Sequence, residues 1–196
     1  MSQKLFIDAQ QLLDDSFRLG MQVLDSGFRP DFIVGVWRGG TPVGIAVQEL
    51  LDYFGVESDH IAIRTSSYDR IGKRGNTIRV HGLSYIVKNV NADHSLLIVD
   101  DVWDTGLSIQ AVIDYLQEES RRNTPEQIKV ATAYYKPGNN QTERAPDFFV
   151  HQTDQWLVFP HELHGLSADE ILANKPGISA IVDRIRDAAA ADSPAR

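Results

Sequence analysis

The sequence predicts an α/β fold built on a mainly parallel sheet flanked by helices. Two apolar runs, Phe32 to Val36 and Leu96 to Val99, lack a polar face, as expected of strands buried on both sides. Segments between and after them carry apolar residues every three or four positions, the signature of helices that cover such a sheet. The chain has 196 residues, 42% hydrophobic and 23% charged, which suits one domain burying roughly 70% of its unfolded surface.

Leu13, Phe17, Met21 and Leu24 form the first helical stripe, with Asp8 placed to cap it and Gly27 to stop it. Phe32 to Val36 follows as a strand and Arg38-Gly39-Gly40 as a turn. Thr41 then reads as an N-cap, with Pro42 at the first position of a helix carrying Val43, Val47, Leu50, Leu51 and Phe54. His60 to Thr65 alternates weakly as a strand. Ser95 to Asp100 reads as the second buried strand, which places Asp100 and Asp101 at or just beyond the sheet. Ile109, Val112, Ile113 and Leu116 form another helical stripe, Ile128 to Tyr135 another strand, and Phe148 to Val150 and Trp156 to Phe159 shorter ones. Ser167-Ala168-Asp169-Glu170 is a capping box, Pro176-Gly177 a break, and Ile178 to Ala191 a last helix. Residues 1–190 thus read as a single domain and 191–196 as a loose tail.

Composition excludes several classes of function. Lys and Arg total 19 against 27 Asp and Glu, a net charge of −8 that opposes binding to nucleic acid or to an anionic membrane. The absence of cysteine removes disulfides, thiolate nucleophiles and cysteine metal sites, and fits a reducing, cytoplasmic setting. The N-terminal apolar run is too short for a signal peptide, and no apolar run is long enough to span a bilayer. His161 and His164 lack zincin spacing. Dinucleotide, Walker and serine-elbow signatures are likewise missing.

The chemistry concentrates in Leu96-Leu97-Ile98-Val99-Asp100-Asp101-Val102-Trp103-Asp104-Thr105-Gly106-Leu107-Ser108, where a buried strand ends in carboxylates and passes through Thr-Gly into a helix. In open α/β sheets ligands bind at the carboxyl ends of strands. A helix N-terminus offers amides and a positive dipole end to a phosphate, to which Thr105 and Ser108 add hydroxyls and Gly106 a close backbone approach. Asp100 and Asp101 are suited to accept hydrogen bonds from sugar hydroxyls or to hold Mg²⁺ through water. A single aspartate at a strand end is usually a turn former or cap, but this ordered set exceeds what a solvated turn needs.

That order resembles the phosphoribosyl pyrophosphate (PRPP) motif of the type I phosphoribosyltransferases, and the likeness runs from about Phe32 to Phe159. It implies a Rossmann-like, doubly wound, mainly parallel sheet, with a small hood made from the N-terminal segment and about residues 137–175. Arg38, Gly39 and Gly40 resemble the loop that binds pyrophosphate. Ser67 and Tyr68 resemble the Ser-Tyr element of the family's catalytic lid, although Ser66 stands where purine members usually carry lysine. Five basic residues and one acid between Arg64 and Arg79 fit a lid over polyphosphate; without the resemblance they fit a solvated hairpin equally well. Lys136 and Trp156 match the lysine that donates to purine O6 and the aromatic that stacks on the ring, with Leu157 beside it. Val158 stands near where some bacterial members carry an acidic residue.

The resemblance implies a Mg²⁺-dependent purine salvage enzyme that joins a 6-oxopurine to PRPP, giving IMP, GMP or XMP and pyrophosphate. Asp104 is the implied general base, with Ser67 and Tyr68 closing the lid. Asp100, Asp101, Thr105, Gly106, Leu107 and Ser108 would hold the ribose phosphate, and the two aspartates would hold the metal. A homodimer or homotetramer is implied too. Two other readings stay open: a PRPP-sensing regulator that binds nucleic acid, and a phosphoribosyltransferase for another base.

Overall fold

Asp8 Oδ1 accepts the amide of Gln11 at 2.8 Å, so the first long helix starts where its cap was expected, and Gly27 at φ +78° follows its end. The computed structural model describes residues 4–68, 77–175 and 177–191. Elements run in the order β1 (Lys4–Phe6), α1 (Ala9–Asp25), β2 (Phe32–Trp37), α2 (Gly40–Tyr53), β3 (Asp59–Tyr68), β4 (Thr77–His81), α3 (Ser84–Asn89) and β5 (Ser95–Trp103). There follow α4 (Leu107–Ser120), β6 (Gln127–Tyr135), β7 (Phe148–Gln152), β8 (Trp156–Val158), α5 (Ala168–Asn174) and α6 (Val182–Ala191). Among the described residues no helix is long and apolar enough to cross a membrane.

The chain divides into two compact units, Leu13–Asp154 and Met1–Leu12 with Gln155–Arg196. The larger holds a six-stranded sheet in the order β4-β3-β2-β5-β6-β7, parallel throughout except for the β3–β4 pair. β2 and β5 lie at its centre, and five of the six residues of β2 are buried, which explains their uninterrupted apolar character. One face packs Phe32, Val34, Val36, Leu96, Ile98 and Val130 against Ile86 of α3 and Ile109, Val112 and Leu116 of α4. On α2, Val43, Ala46, Val47 and Leu51 are buried, and Gly20 of α1 lets that helix approach Leu50. The sheet is therefore mainly parallel and flanked by helices, as the sequence predicts. Within the stretch 137–175 assigned to the hood, β7 pairs with β6 in this sheet.

In the smaller unit β1 and β8 form a two-stranded parallel sheet with Leu5 opposite Leu157. Ser167 and Glu170 complete the expected capping box of α5. Lys4 Nζ reaches Glu170 Oε1 at 2.7 Å, and the buried Lys175 donates to the carbonyl of Phe159. The last helical stretch is a 3-10 turn at Ile178–Ile181 followed by α6; of the expected tail, all but Ala191 lies outside the described residues.

Candidate active site

Two expectations change at the centre of the sheet. β5 does not end at Asp100: it continues through Asp101 to Trp103, held in register by Thr132, Tyr134 and Tyr135 of β6. The strand persists because its neighbour also does, and Trp103 is buried at its end. Helix α2 begins at Gly40, one residue before Thr41, and no side chain caps it; the Thr41 hydroxyl is buried without a hydrogen-bond partner. Thr41 is therefore not its N-cap, and Pro42 falls inside the first turn.

These two features meet. Asp100 Oδ1 accepts the amide of Asp101 at 2.9 Å, and the amide of Gly40 also donates to the Asp100 carboxylate. Burial first, and the neighbouring Asp101 charge second, hold the Asp100 carboxyl well above the usual carboxylate range, against the hydrogen bonds that favour its anion. A Cβ on Gly39 would fall 1.6 Å from Asp101 Oδ2, and one on Gly40 2.5 Å from the carbonyl oxygen of Val99. The glycine pair is thus required by close approach to the aspartates. Arg38 precedes it on an exposed surface, joined to Trp37 by a cis peptide bond.

Beyond β5 the chain turns into α4 through Gly106, whose φ of +78° is a left-handed conformation that suits glycine. A Cβ there would also meet Trp103 Nε1 at 2.6 Å and Thr142 Oγ1 at 2.8 Å. Asp100, Asp101, Asp104, Thr105, Gly106 and Ser108 line a cavity of about 210 Å³ over this turn. Leu107 is exposed, so any contribution from it to a phosphate would come from its backbone.

The segment after β6 closes on the same loop. The backbone amide of Lys136 donates to the carbonyl of Trp103 at 2.9 Å, and its buried side chain places Nζ 3.2 Å from Asp104 Oδ2. Asn139 Nδ2 donates to the other oxygen, Oδ1, at 2.7 Å. Asn140 Oδ1 accepts the Trp103 indole N–H at 3.1 Å and the Thr142 hydroxyl at 3.0 Å, and the amide of Gln141 donates to the carbonyl of Thr105 at 3.0 Å. The sequence reading missed Asn139, Asn140 and Thr142. Their one sequence signal is the turn chemistry of Pro137-Gly138-Asn139-Asn140, which does not reveal a partner more than thirty residues away.

The larger unit thus gathers the candidate residues of the pyrophosphate loop, the acidic strand end, the phosphate turn and Lys136. Ser67 and Tyr68 are the last residues of β3, with their backbones opposite Ile78 and Thr77. Before them, Ser66 Oγ lies 3.1 Å from His81 Nε2. Asp69, Arg70, Lys73 and Arg74 of the expected basic lid lie outside the described residues. Trp156 and Leu157 belong to β8 of the smaller unit, where Trp156 is 60% exposed and Leu157 and Val158 are buried. Among the described residues no cluster of three or more His, Asp or Glu could hold a metal ion. The adjacent carboxylates of Asp100 and Asp101 nevertheless fit a hard cation, whose charge would offset the crowding that raises Asp100, with water and substrate oxygens completing its shell.

No curated protein matches the chain. Among solved structures, it is similar to a purine phosphoribosyltransferase from Pyrococcus horikoshii Ot3, at 29% identity and a TM-score of 0.63 over 83% of this chain and 96% of that one. A xanthine-guanine-hypoxanthine phosphoribosyltransferase from Helicobacter pylori shares the fold at 22% identity and a TM-score of 0.61, covering 80% of this chain and 92% of that one. So does a hypothetical protein from Neisseria gonorrhoeae with bound ppGpp, at 16% identity and 0.68, covering 97% and 98%. The model of the phosphoribosyl transferase domain matches residues 3–166, a span that contains the acidic strand end, its glycine partners and the Lys136 turn. By that match the chain belongs to the phosphoribosyl transferase domain family, the type I phosphoribosyltransferases.

Proposed function

We propose that the protein transfers the 5-phosphoribosyl group of PRPP to N9 of a 6-oxopurine, releasing pyrophosphate. The observation that carries this reading is the pair formed by Lys136 Nζ and Asp104 Oδ2, 3.2 Å apart. An ammonium donor beside a carboxylate acceptor complements the edge of a 6-oxopurine, where O6 accepts and a protonated N7 donates. Adenine presents an amino group where O6 would be, so it sets donor against donor at Lys136.

In this reading the N9–C1′ bond forms as the bond from C1′ to the pyrophosphate oxygen breaks, with positive charge developing on the sugar. Asp104 takes the proton from N7 as general base. Amides and hydroxyls of Thr105, Gly106, Leu107 and Ser108 hold the 5′-phosphate, Asp100 and Asp101 the ribose hydroxyls, and Arg38 with the Gly39 and Gly40 backbone the leaving pyrophosphate. Asp100 and Asp101 would also hold Mg²⁺ through water, and the ion, when bound, neutralises charge on the leaving group. The family resemblance gives Trp156, with Leu157 beside it, the part of the aromatic that stacks on a purine ring. Ser67 and Tyr68 contribute to a lid that excludes water.

Pyrophosphate release with PRPP and Mg²⁺, offered hypoxanthine, guanine, xanthine and adenine separately, tests the reading. Turnover with one or more 6-oxopurines and none with adenine is expected, and the rates rank the bases. Silence with all four from protein that still binds PRPP overturns it, in favour of another acceptor base or a PRPP-sensing regulator. Asp104→Asn is expected to lower kcat by about 10² to 10⁴ with little change in PRPP binding.

A further inference from the structure

We propose that Asn139 is a positioning residue for the reaction, holding the carboxylate of Asp104 in the plane in which it meets N7; this rests on the 6-oxopurine reading above. Asp104 is half-exposed, with 44% of its side chain accessible, and it precedes a Thr-Gly turn, so packing alone does not fix its orientation. Two donors from one short turn hold it, Lys136 on Oδ2 at 3.2 Å and Asn139 on Oδ1 at 2.7 Å. They are not equivalent. An ammonium is a point charge on a flexible stem and attracts a carboxylate without setting its plane, whereas a planar amide donates along one direction.

The turn that carries Asn139 is itself held. Its backbone amide donates to the carbonyl of Lys136 at 3.2 Å, Pro137 restricts the backbone between them, and the amide of Gly138 donates to Asp154 Oδ1 at 3.0 Å. Lys136 and Asn139 therefore reach Asp104 from a common, fixed base. When a purine arrives, Lys136 turns part of its donor capacity to O6, and Asn139 becomes the directional contact left on the carboxylate. Asn139 is exposed in its turn, so its bond to Asp104 contributes little to folding, and its effect falls on the reacting geometry.

Steady-state kinetics of Asn139→Ala, Asn139→Asp and Asn139→Gln test the proposal, alone and combined with Asp104→Asn, with thermal unfolding of each. Asn139→Ala is expected to lower kcat by about 10- to 100-fold, with KM for PRPP within about twofold and Tm within about 2 °C of wild type. Asn139→Asp, isosteric but lacking the donor and adding charge against Asp104, is expected to lose more than Asn139→Ala, and Asn139→Gln to recover part of the loss. In the Asp104→Asn background, Asn139→Ala is expected to cost less than about threefold more, because its target has gone. Wild-type kcat in Asn139→Ala, beside a collapse in Asp104→Asn, overturns this role and leaves the 6-oxopurine reading standing. An undiminished loss in the double variant, or a KM rise matching the fall in kcat, assigns Asn139 to structure and overturns the proposal. Full turnover in Asp104→Asn removes Asp104 from the mechanism and overturns this role with it, while the 6-oxopurine reading stands.

Discussion

Replacing Gly39 or Gly40 by alanine introduces the same methyl group into two different kinds of contact, and the difference has measurable consequences. At Gly39 the new carbon meets a side chain, 1.6 Å from Asp101 Oδ2 and 2.2 Å from its Cγ. Rotation of Asp101 relieves the overlap and leaves the backbone in place. At Gly40 it meets backbone, 2.5 Å from the Val99 carbonyl oxygen and 2.7 Å from Asp100 Cα, and no rotation relieves it. Reaching an ordinary 3.4 Å contact requires the start of α2 to separate from β5 by about 0.9 Å. Overpacking of this kind costs about 1–3 kcal/mol. At about 2–4 °C per kcal/mol for a chain of this size, Gly40→Ala should lower Tm by roughly 2–12 °C. Gly39→Ala should change it by less than about 2 °C. Both should lose turnover by about 10² or more, because an ångström of misplacement at reacting groups costs that much. Thermal melts and pyrophosphate release on the same preparations separate the two. A wild-type Tm in Gly40→Ala would refute the packing of the glycine turn on β5. Full turnover in Gly39→Ala would remove the placement of Asp101 from the mechanism.

Asp100 carries a linked prediction about pH. Its carboxyl is raised by burial and by Asp101, so the folded chain retains a proton that the unfolded chain releases, and stability falls as pH rises from the usual carboxylate value through the raised one. Asp100→Asn removes that penalty: its Tm should exceed that of wild type at neutral pH, and the gap should close below about pH 4. A gap independent of pH, from melts across the range, would contradict this origin. Gly106→Ala places a methyl group 2.6 Å from Trp103 Nε1 at a φ of +78°. It should raise the Kd for PRPP, measured by calorimetry, by about tenfold or more through distortion of the phosphate turn. Unchanged affinity would place the 5′-phosphate elsewhere.

Central strands were legible because their burial is written in every residue, and Leu96 to Val99 are all fully buried. The extent of α1 between Asp8 and Gly27 was legible too, but not its buried face: Leu12, Leu19 and Val23 are buried, whereas Leu13 and Phe17 of the expected stripe are exposed. Short elements whose existence depends on a distant partner were not. β1 is three residues, Lys4–Phe6, stabilised by pairing with β8 about 150 residues later, and β4 carries Arg79 and His81 yet forms because β3 offers it an edge. The same reason shortened β5: polar Asp100 and Asp101 mark a strand end locally, while the register of β6 carries the strand on to Trp103. Site residues divide likewise. Asp104 and Lys136 announced themselves by motif, whereas Asn139 meets Asp104 through one long-range hydrogen bond that no local pattern encodes.

Side chains cap α1 and α5 as expected, whereas the residues before α2, α3 and α4 supply no capping side chain. Asp8 caps α1, and Ser167 with Glu170 caps α5. α2 and α4 each run fourteen residues behind a glycine, Gly39 and Gly106, and the expected cap Thr41 is not used; the first amide of α2, Gly40, donates to the Asp100 carboxylate, and that of α4, Leu107, to Thr105 Oγ1 at 3.4 Å. In α2 the amide of Thr41 is also met, by the carbonyl of Arg38 at 3.2 Å, and Pro42 has none, so it is the first turn of α4 that has amides to offer a ligand; a glycine at the cap forgoes only a few tenths of a kcal/mol. A structural helix gains nothing from this, whereas a helix that must receive an anion would lose by filling its own first turn. The proposed reaction uses two such anions, a 5′-phosphate facing α4 and a pyrophosphate facing the turn into α2. A glycine in place of a capping side chain at the start of α4 suits the proposed 5′-phosphate, and a capping side chain engineered there should compete with PRPP.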